Sequence, residues 1–212
     1  MSAKENAYPV NIKAELSKPP SRALWIVKWL LLVPHYIVLA FLWIAYVVVG
    51  FIAFWAILFT ARFPKKLFAF NVGVLRWTWR VGFYGYWILG TDDYPPFSLK
   101  PSEEYPADLE IKYTEKLSRG LPFVKWLLAV PHYLVLSPLM GWATWHAADG
   151  KNPPFIGLIF VLAFIIAIVL LFTKKYNRDI FKINTGIVRW SLRVLAYIGL
   201  MTDEYPPFVL WE

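Results

Sequence analysis

The sequence predicts an all-α membrane protein of two tandem repeats, each with two membrane helices, an interfacial helix and short extramembrane β-strands at its ends. Composition is the first reason: 58% of the residues are hydrophobic and 17% are charged, against roughly 45–50% and 25% in soluble domains. The second reason is an internal duplication, and the third is the presence of apolar stretches long enough to span a membrane. The net charge of +8 comes from basic residues flanking these stretches, which favours lipid headgroups over nucleic acid as the counterpart.

The duplication is visible in several motifs. The segment from Lys28 to Tyr36 returns almost unchanged from Lys125 to Tyr133, and the Arg-Trp-x-x-Arg motif at Arg76 returns at Arg189. Such self-similarity marks two copies of one structural unit. We therefore place a first membrane repeat at 8–100 and a second at 105–211, with an inserted loop near 137–154.

The apolar stretch of the first copy runs from Ala23 to Thr60, longer than the ~20 residues that one spanning helix needs. The polar insertion at 147–154 cannot lie in hydrocarbon, so the sequence predicts membrane helices at 42–60 and 155–173. The preceding parts, 22–40 and 119–146, are predicted as interfacial helices bent at a proline. Their bends and membrane anchors are Pro34, Pro131, Trp25, Trp29, Trp126, Lys28 and Lys125.

The second long segment of each copy, 67–90 and 180–200, is open to two interpretations. It lies on the membrane surface, or it spans with its arginine face buried. We expect it to span, giving four membrane helices with both termini on one side. Arg80 then needs a carboxylate partner other than Asp92, because twelve helical residues separate the two by ~18 Å. The basic links at 61–66 and 174–182 favour a cytoplasmic position.

Short strands are predicted at the ends of each copy. Apolar and polar residues alternate over 8–17 and again over 105–113, the period of a half-buried strand. Short extended runs follow the closing Pro-Pro-Phe motifs at 97–99 and 208–210. We expect opening and closing strands to pair outside the bilayer.

The arginines are the main candidate site. About a pseudo-twofold axis, the side chains of two equivalent helices could converge on a phosphate or carboxylate headgroup, and the simpler alternative is snorkelling to ordinary lipid phosphates. The predicted lipid- or anion-binding residues are Arg76, Arg80, Arg189 and Arg193. The predicted packing residues of the helix interfaces are Trp29, Trp77, Trp126, Trp190, Gly73 and Gly186.

Two other sets of residues, two histidines and two acidic pairs, have structural interpretations that are simpler than a ligand-binding or catalytic role. His35 and His132 are equivalent and could ligate haem or bind a quinone, but at a membrane edge they are more simply hydrogen-bonding residues. The acidic pairs at 92–93 and 203–204 precede proline turns and are predicted as turn formers. The chain has no cysteine, and no catalytic or metal-binding motif is recognised. We predict no catalytic residue and no metal site.

The motifs Lys-Trp-Leu-Leu-x-Val-Pro-His-Tyr, Arg-Trp-x-x-Arg-Val and Thr-Asp-(Asp/Glu)-Tyr-Pro-Pro-Phe resemble those of a prokaryotic membrane family, the domain of unknown function DUF4389. The resemblance covers both copies, nearly residues 8–211. It implies an integral membrane protein of bacteria or archaea and brings no known activity.

From these features we expect a non-enzymatic subunit of the prokaryotic inner membrane, accessory to or scaffolding a larger complex. Its partners would be membrane lipids and other integral membrane subunits, with no nucleic acid. The alternative is a lipid or isoprenoid-phosphate binding or transport protein using the arginines, and haem or quinone binding is the weaker one. A bound lipid is the expected ligand; haem or pigment is not.

Overall fold

The computed structural model describes residues 8–16, 19–141 and 156–211, and it is mostly helical with one small sheet. Its strands are β1 (Val10–Ala14) and β2 (Ala107–Ile111). Its helices are α1 (Trp25–Thr60), α2 (Lys65–Tyr84), α3 (Lys125–Leu128), α4 (Val130–Met140), α5 (Leu158–Thr173) and α6 (Arg178–Ile198), with a 3₁₀ turn at Leu121–Phe123. Among the described residues, α1 is the one helix long and apolar enough to cross a membrane. Two membrane helices per repeat therefore stay a prediction.

The first helix differs from its predicted form. Residues 22–40 do not form a separate bent helix, because α1 continues through Pro34 to Thr60. A buried stripe that includes Leu32, Leu39, Tyr46 and Ala53 explains this continuity. Its seven-residue spacing keeps one face of α1 buried over many turns, against α2 and, at Tyr46, against the end of α6. This packing outweighs the hydrogen bond lost at the proline.

In the second copy the equivalent helix is divided. Ala129 separates α3 from α4 just before Pro131, and α4 ends at Met140, where Gly141 follows in the left-handed conformation. Most of the predicted inserted loop, 142–154, lies outside the described residues. The predicted helix at 155–173 is observed as α5 from Leu158 to Thr173.

The two opening strands pair with each other. β1 and β2 form an antiparallel ribbon in which Ile12 faces Leu109, its own counterpart in the second copy. A pseudo-twofold axis therefore passes through the middle of the ribbon. The expected pairing of opening with closing strands was wrong: 97–99 and 208–210 form no strand. These closing segments pack on helices instead, as described below.

Each opening strand packs on the helix of the other copy. β2 lies along α2, and β1 contacts α6. As a result α2 lies between α1 and β2, whereas α6 lies between β1 and the pair α4 and α5. One hydrophobic core spans both copies, with buried side chains such as Val10, Trp79, Leu109, Ile187 and Leu192.

Candidate functional site

A buried lysine joins the two ends of the first copy. Lys28 Nζ donates to the Thr91 carbonyl oxygen at 2.6 Å and pairs with Asp92 Oδ1 at 3.1 Å. The ammonium also lies 4.4 Å from the centre of the Tyr84 ring, a favourable cation–π position. The side chain of Lys28 is only 1% exposed. It is therefore an internal ion-pairing residue.

The second copy repeats this arrangement. Lys125 Nζ donates to the Thr202 carbonyl oxygen at 2.7 Å and pairs with Asp203 Oδ1, also at 2.7 Å. The prediction that Lys28 and Lys125 anchor the chain at the membrane surface was wrong. Burial against the closing segment leaves neither ammonium free to reach headgroups.

The acidic partners also fix the residues that precede each first helix. Asp92 Oδ2 accepts from the Ser21 backbone N–H at 2.5 Å, and Asp203 Oδ2 accepts from Ser118 at 2.6 Å. Burial alone would raise the pKa of Asp92, but the Ser21 hydrogen bond and the charge of Lys28 together lower it below its usual value. Asp92 and Asp203 are thus more than turn formers.

His35 and His132 are each held by a tryptophan and a phenylalanine. Trp77 Nε1 donates to His35 Nδ1 at 2.9 Å, and the Phe97 ring stacks on the imidazole at 4.0 Å. His132 has the equivalent bond from Trp190, 3.0 Å long. Since Nδ1 accepts, Nε2 carries the hydrogen in the neutral ring, so neither nitrogen offers a free lone pair to a metal. This geometry does not favour haem ligation.

The arginines of the first copy bind the ribbon. Arg76 Nε lies 2.6 Å from Asp108 Oδ1, and Arg80 Nη2 lies 3.3 Å from Asp108 Oδ2. The two side chains also donate to the β2 carbonyl oxygens of Leu109 and Ala107. The carboxylate partner of Arg80 is therefore Asp108 of the second copy, and not Asp92. These contacts satisfy polar groups along a strand edge that would otherwise be open.

The arginines of the second copy lie on α6. Arg193 Cζ is 5.0 Å from the centre of the Tyr8 ring, and both Arg189 and Arg193 have interaction partners. Arg76 and Arg189 line different clefts. The structure thus places the four predicted residues as two pairs, one on each central helix.

Two equivalent clefts open beside these pairs. The first has a volume of about 400 Å³ and contains Arg76 and Lys100 among its lining residues. The second, about 260 Å³, contains Arg189 and Lys182. Most of the other lining residues are also repeat counterparts, for example Phe68 and Phe181, Leu99 and Leu210, Ile111 and Ala14. Each cleft combines an apolar wall with two cations, a suitable setting for an amphiphilic anion.

The predicted packing residues lie in different environments. A Cβ at Gly73 would lie 2.7 Å from Leu99 Cβ, and one at Gly186 would lie 2.5 Å from the Leu210 carbonyl oxygen. Both glycines thus let a closing segment approach its helix. Trp77 and Trp190 are buried, whereas Trp29 and Trp126 are exposed on the outer surface.

Sequence reasoning missed the role of Asp108 and both lysine–aspartate pairs. Asp108 occupies an outward position in an alternating strand, and such positions are ordinarily solvated. One feature of the sequence could have indicated the lysine–aspartate pairs. Lys28 and Asp92 both recur, as Lys125 and Asp203, at the same ends of the second copy.

The fold and its repeated contacts define a duplicated, mostly helical protein with a shared strand ribbon and, within 8–16, 19–141 and 156–211, one membrane-capable helix. The chain belongs to the family described as a domain of unknown function, DUF4389, whose profile matches residues 22–98 and 156–209. The two matched segments agree with two tandem copies. Neither a curated protein nor a solved structure shows significant similarity to the chain.

Proposed function

We propose that this is a non-enzymatic integral membrane protein that acts as an accessory or scaffolding subunit. The observation that carries the proposal is the outer surface of α1. Its outward side chains are large and apolar, including Phe41, Val47, Phe51 and Phe59, each at least 65% exposed. Between Trp25 and Thr60 the only charged or imidazole side chains, Lys28 and His35, are buried.

The same surface continues onto the second copy. Outward apolar side chains of α4 and α5 include Leu134, Phe164 and Phe172. Together these helices expose far more contiguous apolar surface than a water-soluble monomer ordinarily does. Lipid and the helices of membrane partners are the surroundings that suit it.

The polar side chains of the interior support a structural role. Lys28, Lys125, Arg76 and Arg80 are committed to internal carboxylates and carbonyl oxygens. His35 and His132 accept hydrogen bonds from tryptophan. The lysines and histidines thus hold each copy together internally, and the arginines Arg76 and Arg80 join the first copy to the second.

The test is purification of the tagged full chain from its native membrane in mild detergent. We expect integral membrane subunits to co-purify in fixed proportion. Loss of these subunits from the Phe51→Ala/Trp55→Ala variant, both residues being exposed on α1, would assign the contact. The Glu110→Ala/Lys112→Ala variant on the ribbon is the control and should retain them. A chain that runs alone in every preparation contradicts the proposal.

A second candidate function is the binding or transport of an anionic lipid or isoprenoid phosphate. The two equivalent clefts favour it, because Arg76 with Lys100 and Arg189 with Lys182 place cations beside apolar walls. Arg80 and Arg193 lie one turn further along the same helices. A phosphate headgroup would meet the cations, and its chain would follow the apolar wall.

Native mass spectrometry tests this function. Arg76→Ala would also remove ribbon contacts, so Lys100→Ala/Lys182→Ala is the cleaner variant. We expect it to retain several-fold less anionic lipid than wild type, whereas Lys112→Ala/Lys116→Ala, which removes two exposed lysines away from the clefts, should retain the normal amount. Equal lipid retention by both variants counts against the clefts.

A further inference from the structure

Contacts between α1 and α2 give the relative level of the two helices. Trp43, near the middle of α1, donates from Nε1 to Thr78 Oγ1 at 3.2 Å. At the turn between the helices, the Phe63 and Phe68 rings lie 5.6 Å apart. The helices are antiparallel neighbours, so the stretch of α2 from Phe68 to Arg80 runs beside roughly residues 41–53 of α1.

The ribbon lies along this same stretch of α2. Arg80 bonds the Ala107 carbonyl oxygen at 3.3 Å, and the ring of Tyr113 lies 5.0 Å from that of Phe68. The twelve residues between Phe68 and Arg80 span ~18 Å of helix, about the length of the strand. The ribbon therefore runs parallel to the helices instead of extending beyond their ends.

Exposed charges consequently lie at the same level as the middle of α1, on the other side of α2. Glu103, Glu110 and Lys112 are exposed, and they belong to the chain segment that follows α2. A crossing of the bilayer by residues 42–60 would put these charges at the depth of the hydrocarbon. Exposed charged side chains are costly at that depth.

The opposite side of the molecule has no such conflict. Outward apolar residues extend along α1 from Ile26 to Phe59. This 36-residue helix is ~54 Å long, well beyond the ~30 Å of a hydrocarbon core. A helix lying in the membrane plane would immerse this whole length.

Basic residues border the apolar surface. Arg62, Lys65 and Lys66 are exposed where α1 ends, and Lys174, Lys175 and Arg178 are exposed where α5 ends. In a flat orientation these side chains reach the headgroups of the same leaflet, and anionic lipids attract them.

We propose that the protein enters the membrane from one side, with α1, α4 and α5 lying in the plane of one leaflet and the ribbon facing water. This inference rests on the membrane contact proposed above and specifies its geometry. The pseudo-twofold axis through Ile12 and Leu109 would then stand along the membrane normal, so that both copies immerse equivalent helices.

Thiol labelling tests this geometry cleanly, because the chain contains no cysteine. Single-cysteine variants Arg22→Cys and Arg62→Cys bracket α1, and Glu110→Cys marks the ribbon. Each is expressed as the full chain and exposed to a membrane-impermeant maleimide in spheroplasts and in inverted inner-membrane vesicles. Labelling after detergent gives the total for each variant.

A flat α1 predicts that all three positions react in one preparation and are at least ~10-fold less reactive in the other. Labelling of Arg22→Cys and Arg62→Cys from opposite sides overturns the flat orientation while leaving the membrane function intact. Recovery of the chain in the carbonate-washed soluble fraction overturns both.

A depth measurement gives a second readout. A fluorophore on Leu30→Cys, Val48→Cys or Phe59→Cys, all on the outer face of α1, should be quenched equally by lipids brominated at a given acyl carbon. The vesicles contain phosphatidylcholine and phosphatidylglycerol. Markedly deeper quenching at Val48→Cys than at both ends contradicts a helix in the membrane plane.

Discussion

Lys28 and Lys125 show how single residues decide the form of this protein. Each lies in the first turn of an apolar helix, where a lysine ordinarily extends to the headgroups. Here each turns inward to an aspartate that follows the second helix of its copy. A buried ammonium without its carboxylate is costly, so the position of the closing segment is tied to this pair.

Removing the carboxylate should therefore be more harmful than removing the whole pair. We expect Asp92→Asn to lower the free energy of unfolding by about 3 kcal/mol, because it leaves the Lys28 charge buried. Lys28→Met/Asp92→Asn should recover much of this loss. Thermal unfolding in detergent measures both, with Asp93→Asn as the neighbouring control. Equal stability of Asp92→Asn and Asp93→Asn contradicts the assigned role.

The pH dependence follows from the lowered pKa of Asp92. A carboxyl group whose pKa is depressed by folding stabilises the folded state above its usual pKa, here 3.8, and this contribution is lost as the pH falls through the lower folded-state value. The stability difference between wild type and Asp92→Asn should stay constant from neutral pH to about pH 5. Below that it should shrink progressively, as the pH falls through 3.8 and then through the lower folded-state pKa. A difference that disappears already near pH 6 would mean another group is responsible.

At the scale of elements, the closing segments hold the central helices in place although their backbone is irregular. The segment after Phe97 follows α2 closely enough that only a glycine fits at position 73. Phe97 covers His35, and Leu99 lies against Gly73. This irregular segment thus fixes the face of the helix that carries Arg76.

Two glycine substitutions should therefore have opposite effects. Gly73→Ala should lower the free energy of unfolding by about 1–3 kcal/mol, because its Cβ would meet Leu99. Gly50→Ala, in the middle of α1 with nothing within 4 Å of its Cβ, should raise it by about 1 kcal/mol through helix propensity. Gly186→Ala should behave like Gly73→Ala. Stabilisation by all three would mean that the close approach is not required.

The elements also show what the sequence could and could not predict. The spacing of apolar residues was sufficient to predict the central helices, and the alternation of apolar and polar residues was sufficient to predict β1 and β2. Alternation does not name a strand's partner, so the pairing of Ile12 with Leu109 was missed. The proline at position 34 was read as a bend because packing against α2 is not visible locally. Lys28 was misplaced for a similar reason: its partner is more than sixty residues away.

At the scale of the whole molecule, the two copies cannot be separated without exposing polar groups. Arg76 and Arg80 depend on Asp108, which belongs to the second copy. In return, β1 of the first copy covers α6. The repeats are therefore halves of one core and not two independent domains.

Dividing the chain between Glu103 and Glu104, both exposed, tests this dependence. Either half alone should aggregate, since its central helix lacks the strand that covers it. The two halves expressed together should form a 1:1 complex that elutes like the intact chain on size-exclusion chromatography. A monodisperse half that unfolds cooperatively on its own would show that a copy does not need the strand of the other copy on its central helix.

The crossed strands bear on the ancestry of this architecture. In a protein with one copy, β1 would have no helix of a second copy to cover. The helix equivalent to α2, which carries the arginines, would have no strand packed on it. Both needs would be met if two such chains met about a true twofold axis at the position of Ile12. Obligate homodimers are thus the form expected of single-copy members, and gene fusion would have turned their intersubunit contact into an intramolecular one.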